Sequence, residues 1–171
     1  MLKKLLTTAF QFGVVIAVFY AIQAFRSSDM HSDGVVLKQS FVLPKLHRNG
    51  SAELATLNTE STDSSQFIYF VAPWCSVCKV SLPNLENVYK DNPKATISVV
   101  VLSYENADEV VRMMNQLDLS VPLYLGNSSI QSAFNIPAYP SWYLFSHEGK
   151  VEGRGMGYST ELGLRWTING I

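Results

Sequence analysis

At 171 residues with a formal net charge of −1, the chain has the length of one domain plus appendages. Charge this evenly balanced excludes a basic nucleic-acid face and an electrostatic funnel for acidic substrates. Its two cysteines, Cys75 and Cys78, exclude a disulfide framework. The histidines His31, His47 and His147 are scattered and read as solvated, so a zinc site built on the cysteine pair would lack its other ligands.

From Leu5 to Phe25 the chain is uncharged and long enough to cross a bilayer as a helix, which takes about 20 residues. Lys3 and Lys4 precede this stretch and Arg26 follows it, with Asp29 and Asp33 beyond, a pattern that holds the N-terminus in the cytoplasm. A cleaved signal peptide is the competing reading. Its apolar region is normally shorter, about 7–15 residues, and Ala21-Ile22-Gln23-Ala24 is a poor cleavage site. The expected organisation is a membrane anchor over residues 1–26, a linker over 27–37 and one catalytic domain over 38–171. In a bacterium with two membranes this means a single-pass inner-membrane protein whose domain lies in the periplasm, where disulfides persist.

Phe41 to Leu46 reads as a short strand, followed by a turn signalled by Asn49-Gly50. A polar connector leads into a strand over 66–72. Beyond Cys78, Val80, Leu82, Leu85, Val88 and Tyr89 recur at helical spacing up to Asn92-Pro93. Pro83 lies inside that helix and is expected to kink it rather than end it. Residues 96–103 form a β-branched run suited to a strand buried on both faces. Residues 107–119 read as an amphipathic helix, with Met113 and Met114 as core filler. A strand over 121–125, a short helix over 128–134, a hairpin of 141–145 with 150–154 and a last helix over 160–168 complete the chain. Strands alternating with helices and closing in a hairpin make an α/β fold, a mixed sheet flanked by helices.

The chemistry concentrates in Pro73-Trp74-Cys75-Ser76-Val77-Cys78-Lys79. A strand stops at a proline, and two cysteines follow at the start of a helix. The first helical turn offers unpaired N–H groups and the positive end of the helix dipole, and both favour thiolate over thiol. The thiolate is the nucleophile, and such cysteines can fall from about 8.5 to roughly 3.5–7.5 in pKa. A two-residue spacing sets the sulfurs about one turn apart, within reach of a disulfide. Downstream, Tyr139-Pro140-Ser141 stands before the strand 141–145; an ordinary turn is the bland reading of that proline.

Trp74-Cys75-x-x-Cys78-Lys79, Pro83 five positions after the second cysteine and an aromatic-Pro-Ser before a strand together resemble the thioredoxin superfamily. The resemblance implies a cis Pro140 packed beside the disulfide, with the backbone of Tyr139 pairing with the substrate chain as an added strand. The stretch at about 97–119, absent in that form from thioredoxin itself, implies an inserted strand and helix. With the anchor and the opening Phe41-Val42-Leu43-Pro44, the chain is similar to membrane-tethered TlpA/ResA-like thiol–disulfide oxidoreductases, and its Gly157-Tyr158-Ser159-Thr160-Glu161-Leu162 ending is similar to the ScsD-like branch. The likeness runs from about residue 38 to the end. Two positions depart from the pattern: Tyr69 stands where thioredoxin has a buried Asp, and Ser81 where many relatives have a Glu. Both familiar acidic partners of Cys78 are therefore missing, and Glu105, just after the 96–103 strand, is a candidate replacement.

The function implied is reduction of disulfides in extracytoplasmic proteins, with Cys75 attacking, Cys78 resolving, Trp74 shielding the site and Tyr139 and Pro140 docking the substrate; Pro73 and Pro83 are supporting. No cofactor beyond the cysteine pair, no metal and no nucleic acid is expected, and the partners are thiol- or disulfide-bearing proteins and a membrane electron donor of the DsbD/CcdA type. The same fold serves oxidases and isomerases, since potentials range from about −270 to about −120 mV and Ser76-Val77 carries no charge to decide between them. A carrier binding Cu(I) through the two thiolates is the alternative from another class.

Overall fold

The structure, a computed structural model, describes residues 10–15, 17–18, 29–61, 64–93 and 95–169. The apolar run after the polar connector forms β3 (Gln66–Val71), in which all six residues are buried. Its backbone is also paired along both edges. β3 pairs in parallel with β4 (Thr96–Val101) and antiparallel with β6 (Ser141–Phe145). The parallel pair is connected through α1 (Ser76–Asp91). β4 is joined in parallel by β5 (Leu123–Leu125), after α2 (Ala107–Gln116). On one flank β1 (Ser40–Leu46) pairs antiparallel with both β5 and β2 (Ala52–Asn58). On the other, β7 (Val151–Met156) pairs antiparallel with β6. The seven strands run β2-β1-β5-β4-β3-β6-β7, with α3 (Ser128–Ala133) before β6 and α4 (Glu161–Asn169) last.

The strand pleat sends alternate residues to two cores. Phe67, Tyr69 and Val71 share one with Leu82, Leu85 and Val88 of α1, Val110, Met113 and Met114 of α2, and Leu164 of α4. Ile68 and Phe70 share the other with Tyr143, Phe145, Ile130 and Phe134. α1 runs unbroken through Pro83. Residues 97–119 supply β4 and α2, integral parts of the sheet and of its cover.

Several sequence expectations shift. The run Ala52–Asn58, to which the sequence reading assigns no element, is a strand: the Asn49-Gly50 turn folds it onto β1, residue for residue from Ser40↔Asn58 to Leu46↔Ala52. α2 stops three residues early, at Gln116. Asp118 takes a left-handed φ of 52°, and the Leu119 and Asp118 N–H groups donate to the Met114 and Asn115 carbonyls. That is a Schellman stop with aspartate where glycine is usual, hence invisible to a glycine-based reading. The expected linker does not hang free over its described length. Met30 is buried, and Gly34, Val35 and Leu37 bond to the backbone of Val151 and Gly149, covering part of the β7 edge. His31, expected to be solvated, is half-buried: its N–H donates to the Tyr143 hydroxyl, and its Nε2 lies 2.9 Å from the Ala133 carbonyl oxygen. The expected anchor over 1–26 falls largely outside the described residues; 10–15 and 17–18 are helical, and among the described residues no helix is long and apolar enough to cross a membrane.

One buried charge ties the frame together. The Glu86 carboxylate of α1 accepts hydrogen bonds from the Ser120 N–H (2.9 Å), the Val121 N–H (3.0 Å) and the Ser120 hydroxyl, with Lys90 at 3.3 Å. Burial alone would raise its pKa, but these donors together hold it below the ordinary value of 4.5. A depressed folded-state pKa gives stability that is present above 4.5 and lost as pH falls through the folded value. Glu86→Gln should therefore destabilise the domain by about 2 kcal/mol at pH 7. The gap from the unsubstituted chain should narrow in denaturant titrations at pH values below 4.5.

Candidate active site

The site is where three strand ends meet. β3 ends at Val71, and the Leu102 N–H donates to the Val71 carbonyl (2.8 Å), carrying the β3–β4 pairing one residue beyond β4. β6 runs the other way and starts at Ser141 opposite Phe70, so Pro140 falls beside the end of β3. Residues 72–75, 102–106 and 138–140 thus share one edge of the sheet, where the parallel strands have their carboxyl ends, the usual place for function in such sheets.

Ala72 to Cys75 form a turn closed by the Cys75 N–H on the Ala72 carbonyl (3.1 Å). Pro73 occupies the position where a fixed φ helps and no N–H is needed. Cys75 is the N-cap of α1, and its sulfur accepts from the Cys78 N–H at 3.1 Å. Cys75 and Cys78 form a disulfide with Cα atoms 5.2 Å apart. No acidic residue lies in the first turn of α1 to offset its positive end. Cys75 is 6% exposed and Cys78 is 0% exposed, so both are buried and Cys75 is the less covered of the two.

Around the pair, the Tyr139–Pro140 bond is cis and Pro140 is buried. The Pro140 carbonyl accepts from the Gly157 N–H (2.8 Å), and the Ser141 hydroxyl donates to the Ala138 carbonyl (2.8 Å), fixing this segment at both ends. Trp74 is 62% exposed, with its indole N–H on the Ser103 carbonyl at 2.9 Å. The Trp74 and Tyr139 rings meet edge to face, centroids 5.8 Å apart, and the Tyr139 hydroxyl lies 3.0 Å from that of Ser103.

The two departing positions belong to one cluster. Tyr69 and Ser81 are fully buried; the Tyr69 hydroxyl bonds to the hydroxyls of Ser159 (3.4 Å) and Ser81, and the Ser159 N–H donates to Ser81 (3.3 Å). Burial pushes the Tyr69 hydroxyl up, so it stays neutral near pH 7. Neutral hydroxyls thus occupy the positions given to acids in the resemblance. Glu105 is exposed, and its backbone N–H donates to the Glu109 carboxylate (3.1 Å). Among the described residues none of its hydrogen bonds reaches either cysteine. Pro83, one turn beyond Cys78, belongs to the body of α1 rather than to the rim. Among the described residues no three His, Cys, Asp or Glu side chains gather as a metal site.

Sequence reasoning missed Ser103. It follows a strand ending at the active edge, which is the positional signal for it, but a serine at φ 53° carries none of the glycine or asparagine cues for a left-handed residue.

Fold and site together define a thioredoxin-like protein with an oxidised Cys-x-x-Cys pair at a helix start. The chain belongs to the AhpC/TSA family, matched over residues 38–154. It is similar to the thioredoxin-like protein YneN of Bacillus subtilis (strain 168), 26% identical over 95 residues, covering 54% of this chain and 56% of that one. It therefore spans little more than half the length of that relative. The thiol-disulfide oxidoreductase ResA of Oceanobacillus iheyensis is 23% identical over 145 residues, 81% of this chain and 73% of that one. The crystal structure of StoA from Bacillus subtilis shares the fold with a TM-score of 0.65 at 21% identity, covering 78% of this chain and 99% of that one.

Lesser burial and placement at the helix N-cap both favour Cys75 over Cys78 as the reactive sulfur. In the reduced protein at pH 7, iodoacetamide should modify Cys75 at least ~10-fold faster than Cys78, as peptide mass spectrometry of a time course would show. Equal rates would remove the basis for assigning the two cysteines different roles.

Proposed function

We propose that the protein is a thiol–disulfide oxidoreductase that reduces disulfides of proteins outside the cytoplasm, tethered to the membrane by residues 1–26. The observation that carries this reading is the disulfide between Cys75, the N-cap of α1 and the less buried of the pair, and a fully buried Cys78, at the sheet end to which β6 brings the cis Tyr139–Pro140 bond. The family match and the names of the relatives support dithiol chemistry. The charge pattern around Leu5–Phe25 supports the compartment.

In the reduced protein the Cys75 thiolate attacks one sulfur of a substrate disulfide. A Cys75–substrate bond forms, the substrate S–S bond breaks and the other substrate sulfur leaves as a thiolate that takes up a proton. Cys78, deprotonated, then attacks the Cys75 sulfur; the Cys75–Cys78 bond forms and the second substrate thiolate leaves. Two electrons have passed to the substrate. A dithiol donor must return them, and a membrane protein of the DsbD/CcdA type is a fitting one. The backbone N–H and carbonyl of Tyr139 align the substrate chain as an added strand while Pro140 packs beneath.

Cys75→Ser should abolish reduction of a protein disulfide, and Cys78→Ser should accumulate mixed disulfides visible on non-reducing gels. If neither change occurs, the assignment of roles is wrong. The direction is tested by equilibrating the protein with glutathione buffers. A reductase should have a Cys75–Cys78 potential at or below about −230 mV, whereas a value near −120 mV would make the protein an oxidase or isomerase.

A further inference from the structure

Ser103 ties together two aromatic side chains that come from separate loops. Trp74 belongs to the turn before α1, Tyr139 to the loop before β6, and Ser103 to the loop after β4. The Ser103 carbonyl holds the Trp74 indole at 2.9 Å, its hydroxyl lies 3.0 Å from that of Tyr139, and the two rings touch edge to face. The three contacts, one of them to the Ser103 backbone, join the three loops in a closed ring at the mouth of the site. Ser103 does this at φ 53°, where any residue with a Cβ is disfavoured and glycine is not. A glycine could present the same carbonyl to Trp74 without strain, but it could not supply the hydroxyl to Tyr139. Both hydrogen bonds are exposed, where water competes for the donors and little stability is gained. What they provide is orientation.

We infer that Ser103 is a positioning residue, locking Trp74 and Tyr139 into one preformed rim beside Cys75 against which the substrate chain docks. This rests on the proposed role of Tyr139 as the docking edge. Before substrate arrives, the tie adds a side-chain restraint to the two hydrogen bonds that already hold the Tyr139 loop, so less freedom is lost on binding. The effect belongs to substrate affinity, not to the exchange of sulfur bonds.

The test uses the full-length chain in detergent, with dithiothreitol as electron source and a fluorogenic peptide containing one disulfide as substrate. Ser103→Ala and Tyr139→Phe each remove the same bond, from opposite sides. Each should raise KM about fivefold and change kcat by less than about twofold. The double variant should be no worse than either single one, because the bond can be lost only once. Ser103→Gly separates positioning from stability: its thermal midpoint should equal or exceed that of the unsubstituted chain, while KM rises as for Ser103→Ala. Unchanged KM in the single variants, additive effects in the double, or a loss confined to kcat would overturn the role of Ser103 alone. If the unsubstituted chain does not reduce the peptide, the reading of the whole site falls, and the role of Ser103 with it.

Discussion

The site depends on β3 being hydrogen-bonded along both edges and buried on both faces. A strand held in that way has no freedom at its C-terminal end, so the turn at Ala72-Pro73 starts from a fixed point. Its two neighbours run in opposite senses, which places the exit of β4 and the entry of β6 at the same edge. Residues distant along the chain, Cys75, Ser103 and Pro140, are thereby assembled by backbone pairing alone. Side-chain contacts then refine what the sheet has already juxtaposed.

The electrostatics of the cysteine pair come mainly from the backbone. Cys75 accepts a helical N–H, the first turn of α1 carries no opposing acid, and the positions given to acids in the resemblance hold the neutral hydroxyls of Tyr69 and Ser81, bonded to one another and to Ser159. Such surroundings favour charge on the Cys75 sulfur at the helix end over charge on the fully buried Cys78. The proposed division between an attacking Cys75 and a resolving Cys78 thus has a physical source that needs no carboxylate.

Away from the site, the chain deals with its sheet edges and loop entries by specific devices. The β1–β2 hairpin extends one flank, and residues 30–37 lie along part of β7 on the other, where unpaired edge groups would otherwise invite another chain. Glu86, buried in α1, gathers the N–H groups at the entry to β5 and so locks the helix that carries the cysteines to the neighbouring strand. The frame around the dithiol is therefore rigid on the side away from solvent, and the exposed rim is made of three short loops.

Much of this was legible in the residues. The strand–proline–Cys-x-x-Cys–helix order, the buried β-branched strand and the closing hairpin are local patterns, each decided by side chains close in sequence. The reach of Cys78 to Cys75 followed from their two-residue spacing at a helix start. What the residues could not decide was set by contacts between distant segments. Ala52–Asn58 became a strand because β1 offered it an edge, and residues 30–37 lost their freedom to β7. Asp118 ended a helix in a conformation that its identity does not demand, and Ser103 acquired a role only when Trp74 and Tyr139 were folded onto it. Periodicity and spacing report the face a residue presents to its near neighbours; only the closed sheet decides which distant groups meet there.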